Sequence, residues 1–235
     1  MRSLNLSCLE IAVRKVYSEV KEFAPEFNWL SSSETKLWNE LVACILGSQV
    51  RYELSLAAVK YLGACGLLKI GVARDDCHDW ERKVAHALSQ PIFPSRSSLS
   101  ISRYRFPKLR ANQIRRTYEE IYFNRQTIKN LLHSSENEKN ARLRISTAGV
   151  GVGPKQASLF LRNVGFAESL AILDSHVIKY MNLLGLLNYP VRYFSSVSEY
   201  EKVEEKLLRY ADSLHATVAG LDTSIWVVMR VYEGK

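Results

Sequence analysis

Lys155 and Asp174 are the residues whose types and surroundings point most directly to chemistry. Lys155 follows Gly153-Pro154 in the string AGVGVGPKQASLFLRNVG. Proline suits the first position of a helix, where its missing donor costs nothing, so Lys155 falls in the first turn of the helix that Pro154 opens. The helix dipole and the neighbouring amides repel a cation there, which favours the free amine that a nucleophile needs. The plainer alternative is a solvated surface lysine. Asp174 ends the apolar run LAIL and precedes Ser175 and His176. It can cap the helix that follows. A carboxylate held there can also stabilise a developing positive charge and accept a proton, and one residue can do both.

The elements around Lys155 read as a helix (ARLRIST), a glycine turn (AGVGVG) and a second helix (PKQASLFLRNVG). Gly149, Gly151 and Gly153 supply a turn that other residues would find strained. Ala157, Phe160, Leu161 and Val164 share one side of the second helix, and Gly165 is a natural terminator. This is a helix-hairpin-helix over about residues 142–165. Its backbone amides and helix N-terminus suit a phosphate gripped without reading base sequence. The glycines alone suit an ordinary helical turn equally well. A dinucleotide-binding fingerprint is excluded because the third glycine position is Pro154 and no strand precedes it. A Walker loop is excluded because neither Ser nor Thr follows Lys155.

Almost every other periodic segment reads as helix. Leu9, Val13, Val16 and Val20 share one face, as do Leu37, Leu41, Cys44 and Ile45. Ala111, Ile114, Tyr118, Ile121 and Tyr122 form a further stripe, and so do Val203, Leu207, Ala211 and Leu214. Ser31-Ser32-Ser33 before Glu34 marks a helix start. The stretch from Gln90 to Ser102, with Pro91 and Pro94, reads as a loop, and His133 to Asn140 as a polar separator. The fold class expected is all-α.

The chain has 235 residues, 47% hydrophobic and 24% charged, with a net charge of +8. Fibrous and largely disordered classes are excluded, and the basic excess favours a polyanionic partner. No apolar run approaches the ~20 residues that span a bilayer. Glu10 and Arg14 come too early for a signal-peptide core, so a cytoplasmic protein with reduced Cys8, Cys44, Cys65 and Cys77 is expected. The spacing of Cys65, Cys77, His78 and His86 matches no standard zinc site, and no metal is expected. Between Ser102 and Arg116 lie Arg103, Arg105, Lys108, Arg110, Arg115 and Arg116, interleaved with Tyr104 and Phe106 and with no acidic residue.

The string GVGPKQASLFLRNVG followed by LAILDSHV resembles the helix-hairpin-helix DNA glycosylases, and within them the archaeal-type, second family of 8-oxoguanine DNA glycosylase/lyases. RYRFPKLRANQI (Arg103 to Ile114) is similar to that family's "RF…KRA" segment. LVACILGSQV (Leu41 to Val50) resembles the helix that enters the wedge loop. DTSIWVVMRVYEGK resembles the family's tail. The resemblance covers about Glu34 to Lys235. It departs at Gly149-Val150, where the family has Leu-Pro, and at the segment Gly63 to Ser102, which reads as longer than the family needs. No four-cysteine cluster follows Asp174, so an endonuclease III-like iron–sulfur centre is excluded.

The resemblance implies a bifunctional glycosylase/AP lyase of base-excision repair. In it Lys155 attacks the sugar and forms a Schiff base while Asp174 stabilises oxocarbenium character. The substrate is double-stranded DNA with a flipped damaged base, the protein is a nucleoid-associated monomer, and no cofactor is required. It also implies that Trp226 and Phe106 stack on the base, that Lys235 offers its terminal carboxylate to the purine edge, and that Gln49 fills the gap left by the flipped base. Gly149, Gly151, Gly153, Arg105, Lys108 and Arg110 would meet the DNA backbone. His176 would brace the site and Asp222 would cap or orient the last helix. Two helical lobes are implied, residues 34–165 and residues 1–33 with 166–235, with the active site in the cleft between them. The alternative is a glycosylase-fold binding component of a bacterial antiviral cluster, acting on a modified or deazaguanine-type base or on none.

Overall fold

In the computed structural model the described residues are 6–20, 28–72, 76–92, 102–191, 193–194 and 196–234. They form helices α1 (Leu6–Val20), α2 (Glu34–Leu46), α3 (Tyr52–Ala64) and α4 (Cys77–Ser89), a two-residue antiparallel pair β1 (Pro91–Ile92) and β2 (Ser102–Arg103), then α5 (Pro107–Tyr118), α6 (Ile128–His133), α7 (Glu138–Ala148), α8 (Pro154–Asn163), α9 (Ser175–Leu183), α10 (Val197–Ser213) and α11 (Val218–Tyr232). The all-α expectation holds. The pair β1–β2 modifies one expected loop: its ends are strand, and residues 93–101 lie outside the described set.

The chain divides into two compact units, residues 27–166 and residues 1–26 with 167–235. In the first, α2 packs against α5 and α8, with Leu37, Trp38, Leu41 and Ile45 of α2, Ile114 and Tyr118 of α5 and Phe160 and Leu161 of α8 all fully or nearly fully buried and the Trp38 and Tyr118 rings in edge contact. Ser33 starts α2 by accepting from the Lys36 amide. Residues 28–33 belong with this unit because the Trp29 amide donates to the Val164 carbonyl at 2.8 Å and its ring meets His133 and Phe166. After Tyr118 the helix continues as one π-helical turn, Glu119–Phe123.

The second unit is built around α9, α10 and α11, with α1 lying along α11. Leu9 and Val13 of α1 join Val177, Met181, Leu207, Ile225 and Met229 in one core. Polar contacts fix α1 there. The Tyr17 hydroxyl accepts from the Thr217 amide at 2.9 Å, and the Tyr210 hydroxyl donates to Glu10 at 2.9 Å. Gly220 makes room for the Tyr17 ring, which a Cβ would approach to 2.6 Å.

Candidate functional site

The hairpin joins α7 to α8 and is built from backbone. The Gly149 amide closes α7 on the Ile145 carbonyl, the Val152 amide turns back on Gly149, and the Val150 amide donates to Thr117 Oγ1 of α5 at 2.9 Å. Buried Val152 plugs the turn. The three glycines serve three different needs. Gly151 has φ +76°, the left-handed region that glycine enters freely. A Cβ on Gly149 would meet Val152 Cγ2 at 2.6 Å, so this position needs smallness. Gly153, at φ −80° and ψ 178° with only Gln156 Oε1 3.5 Å from a built Cβ, would accept other residues. The expectation of strain is therefore corrected there. What Gly153 leaves is an open surface over the start of α8.

Lys155 is the second residue of α8, after Pro154 at its first position, and is half-buried. Gly153 offers no side-chain cap. Among the described residues, the amides of Gly151, Gly153, Lys155 and Gln156 reach no acceptor and the Lys155 amine makes no hydrogen bond or ion pair. These donors, with the positive end of the helix dipole, make a place for an anion. Burial pushes the Cys44 thiol of α2 well up and Glu40 adds to this, while the nearby Lys155 charge opposes it.

In the other unit Asp174 is the N-cap of α9. Its Oδ1 accepts from both the His176 and Val177 amides at 2.9 Å. Among the described residues, Oδ2 takes no hydrogen bond. The carboxylate is therefore fixed by one oxygen and offers the other. The extended segment before it is held by side chains of α10 and α11 in place of a strand partner. The Ala171 amide donates to Glu204 Oε1 (2.9 Å), the Ile172 amide to Asp222 Oδ2 (2.7 Å), and the Leu173 amide to the Tyr200 hydroxyl (3.1 Å), which donates to the Ala171 carbonyl (2.8 Å). Asp222 is only 2% exposed and does not cap the last helix; Thr217 does that. It orients the segment that carries Asp174.

Gln49 sits in the turn after α2 at φ 60°, exposed, a conformation that is uncommon for a residue with a Cβ. Two α5-proximal residues anchor this turn. The Tyr104 hydroxyl donates to the Leu46 carbonyl at 2.5 Å, and Arg110 Nη2 donates to the Ser48 carbonyl at 2.7 Å. Burial pushes the Tyr104 phenol up to about 12, against the opposing Arg110 charge. Arg110 is only 4% exposed and its other terminal nitrogen donates to Gln113 Oε1 at 2.6 Å. The expectation that Arg110 meets DNA phosphate is thereby corrected, since its donors are turned inward. Tyr104 is likewise core, and Arg115 is spent on Glu81 and Glu119 at 2.5 Å each. Arg105, Lys108 and Arg116 are exposed and keep the basic face.

A family model for 8-oxoguanine DNA glycosylase matches residues 83–216, more than half of the chain. The 8-oxoguanine DNA glycosylase/AP lyase of Saccharolobus solfataricus is 31% identical over 214 residues, 90% of this chain and 91% of that one. The chain belongs to the 8-oxoguanine DNA glycosylase family. The crystal structure of the Thermotoga maritima 8-oxoguanine DNA glycosylase matches with a TM-score of 0.73 at 25% identity, over 98% of this chain and 96% of that chain. That of the Methanocaldococcus jannaschii 8-oxoguanine glycosylase/lyase, in complex with DNA containing 8-oxoguanine, shares the fold with a TM-score of 0.66 at 22% identity, over 99% and 93% of the two chains.

Within this glycosylase-family chain the described part of the segment 63–102 lies inside the first unit. Its helix α4 is core to its unit. Trp80 is 3% exposed, donates to the Leu67 carbonyl at 3.0 Å and meets the Tyr118 ring at 5.2 Å. The two candidate stacking rings lie in different units. Trp226, half-buried on α11, carries the Arg230 guanidinium 4.5 Å from its ring centre. Phe106, half-buried at the start of α5, has Arg105 at 4.8 Å and Arg110 at 5.9 Å. His176 Nδ1 lies 3.3 Å from Glu233 Oε2 in contact but not in hydrogen-bond geometry, and Lys179 pairs with Glu233 Oε1 at 2.8 Å. Lys235 lies outside the described residues.

The sequence reading missed Glu204, Tyr200 and Gln113. Glu204 had a signal: it stands with Tyr200, Val203, Leu207 and Ala211 on the buried stripe of α10, where a lone carboxylate needs a donor. Among the described residues no helix is long and apolar enough to cross a membrane.

Proposed function

We propose that this chain is a bifunctional DNA glycosylase and AP lyase that removes 8-oxoguanine, or a closely related modified purine, from double-stranded DNA in base-excision repair. Family membership gives the reaction class. The observation that carries the reading to particular atoms is the placement of the Lys155 amine, in the second position of α8, beside a hairpin whose amides are open.

In this reading the hairpin amides and the start of α8 take a backbone phosphate, which brings the adjoining nucleotide to Lys155. The amine attacks the sugar carbon bearing the base. The bond from that carbon to the base breaks, and the base leaves with a proton. Ring opening gives a lysine Schiff base, which acidifies the neighbouring sugar position. Loss of a proton there expels the 3′ phosphate and nicks the strand, and hydrolysis returns the free amine. Asp174, held by its cap hydrogen bonds through Oδ1, stabilises oxocarbenium character and accepts the transferred proton through Oδ2. A carboxylate already fixed in place does this without reorganising. Trp226 and Phe106 supply stacking faces once their arginine partners give way to the base.

Borohydride trapping tests the reading. Duplex DNA containing 8-oxoguanine and duplex DNA containing an abasic site are each incubated with wild type and with Lys155→Gln. An adduct on the lesion duplex that Lys155→Gln abolishes is the expected result. Trapping at the abasic site alone would retain the lyase step and reject 8-oxoguanine as the base. With folded protein and neither adduct, the Schiff-base mechanism fails.

A further inference from the structure

One face of α5 carries Arg110, Gln113 and Thr117 at successive helical steps; Arg110 and Thr117 bond to the backbone of loops outside their own helix, and Gln113 packs against one of those loops. Arg110 Nη2 holds the Ser48 carbonyl, next to Gln49 in its left-handed conformation. Arg110 Nη1 holds Gln113 Oε1. The Gln113 amide fills the space over Gly151, where a Cβ would come within 2.1 Å of its Nε2. Thr117 Oγ1 accepts from the Val150 amide. The Gln49 turn and the glycine hairpin are thus tied to one helix face, and Arg110 joins the two halves of that tie.

Arg110 is 4% exposed, and no ion pair to it occurs among the described residues. Its Nε is buried without a partner. A guanidinium kept dry against neutral acceptors is an expensive way to support a turn. What it provides is a rigid fork whose two arms fix two directions at once. A lysine offers a single point charge and cannot hold both.

We propose that Arg110 is a positioning residue that sets the Gln49 turn in register with the hairpin, so that gap filling by Gln49 and phosphate capture at Gly151 to Gln156 occur on the same nucleotide. The inference rests on the glycosylase reading of the site and assigns Arg110 no contact with DNA.

The test compares wild type, Arg110→Met, Arg110→Lys, Gln49→Ala and the double variant Arg110→Met/Gln49→Ala. Two readouts are used: single-turnover excision from an 8-oxoguanine duplex, and 2-aminopurine fluorescence opposite a tetrahydrofuran abasic analogue, which reports gap filling without chemistry. Arg110→Met is expected to slow excision about 10- to 100-fold, the scale of a misplaced group. Adding Gln49→Ala should cost little more, because the first change has already displaced that side chain. Trapping at a preformed abasic site, where no base must be unstacked, should fall much less. Arg110→Lys should recover part of the loss.

Additive losses from Arg110→Met and Gln49→Ala would overturn the proposal. So would equal losses on the lesion and abasic substrates, or a salt dependence of binding shallower by about one ion, the mark of a phosphate contact. If wild type itself leaves 8-oxoguanine untouched, the base assignment fails while the tie is still judged by the fluorescence signal, where the same non-additivity is expected. If Arg110→Met does not fold, Gln113→Met takes its place. That variant keeps the Ser48 bond but removes the link from Arg110 to the hairpin, and it should weaken binding to the tetrahydrofuran duplex; unchanged binding there overturns the proposal.

Discussion

At the scale of single residues, Asp174 shows how one side chain can hold a structural and a chemical role together. Two amides take Oδ1 and leave Oδ2, so the two roles can be separated by substitution. Asparagine caps helices about as well as aspartate, and the charge it removes from the start of α9 is worth about 0.3–1 kcal/mol. Asp174→Asn should therefore cost little stability in urea unfolding while slowing excision by about 10²–10³-fold, the usual scale for losing one fixed electrostatic group. A variant that unfolds early and is otherwise active would make Asp174 a cap only. Gly153 offers the opposite separation. Its backbone is ordinary and its surroundings are open, and aspartate is a favoured N-cap near the positive end of a helix. Gly153→Asp should leave stability unchanged or raise it by up to about 1 kcal/mol. The carboxylate would then stand where the phosphate is proposed to dock and should weaken duplex binding at least about tenfold. Undiminished binding in a mobility-shift or anisotropy titration would remove the hairpin from the DNA interface.

At the scale of elements, α5 was read from sequence as a basic strip facing DNA, and the structure divides that strip in two. Arg105, Lys108 and Arg116 remain exposed, while Arg110 and Arg115 are committed within the protein. The division follows from helix periodicity. Arg110 lies on the face that also carries buried Ala111, Ile114 and Thr117, so its charge had to find internal partners. Binding measured against salt should reveal the difference. Lys108→Ala or Arg105→Ala should each reduce the slope of log K against log[salt] by about one, whereas Arg110→Met should leave the slope unchanged. The hairpin itself was legible in advance because Pro154 and the glycines fix its ends by backbone rules. The support it receives from Thr117 and Gln113 was not legible, because those contacts join positions far apart in sequence.

At the scale of the whole molecule, both units bury tyrosines whose hydroxyls are tied to internal acceptors. Burial is the leading cause that raises Tyr104, Tyr122, Tyr180 and Tyr210, with Glu34 adding to Tyr122 and the Tyr180–Tyr210 pair coupled to Glu10. A phenol raised in the fold stays neutral there after the unfolded chain has begun to ionise near pH 10. Its contribution is complete below that value and is lost as pH climbs through the folded-state value, about 12 for Tyr104. Stability should therefore hold across neutral pH and decline from about pH 10 upward. Urea midpoints taken between pH 8 and 11 check this, and Tyr104→Phe should make the decline shallower. The same change leaves the Leu46 carbonyl without its donor, at a cost of about 1–3 kcal/mol at neutral pH.

Local chemistry determined what the sequence could establish alone. Helix periodicity, a serine cap, a proline at a first position and a glycine at a stop are rules acting within a few residues, and they were enough for the all-α class, for α8 and for Lys155 and Asp174 as the residues to watch. Tertiary structure decided what depends on partners distant along the chain. It turned Arg110 and Tyr104 inward, made Asp222 and Glu204 the supports of the segment before Asp174, and showed α4 to be core. The reason is physical. A buried polar side chain must satisfy its donors or acceptors somewhere, and only the folded chain determines which distant backbone group is within reach.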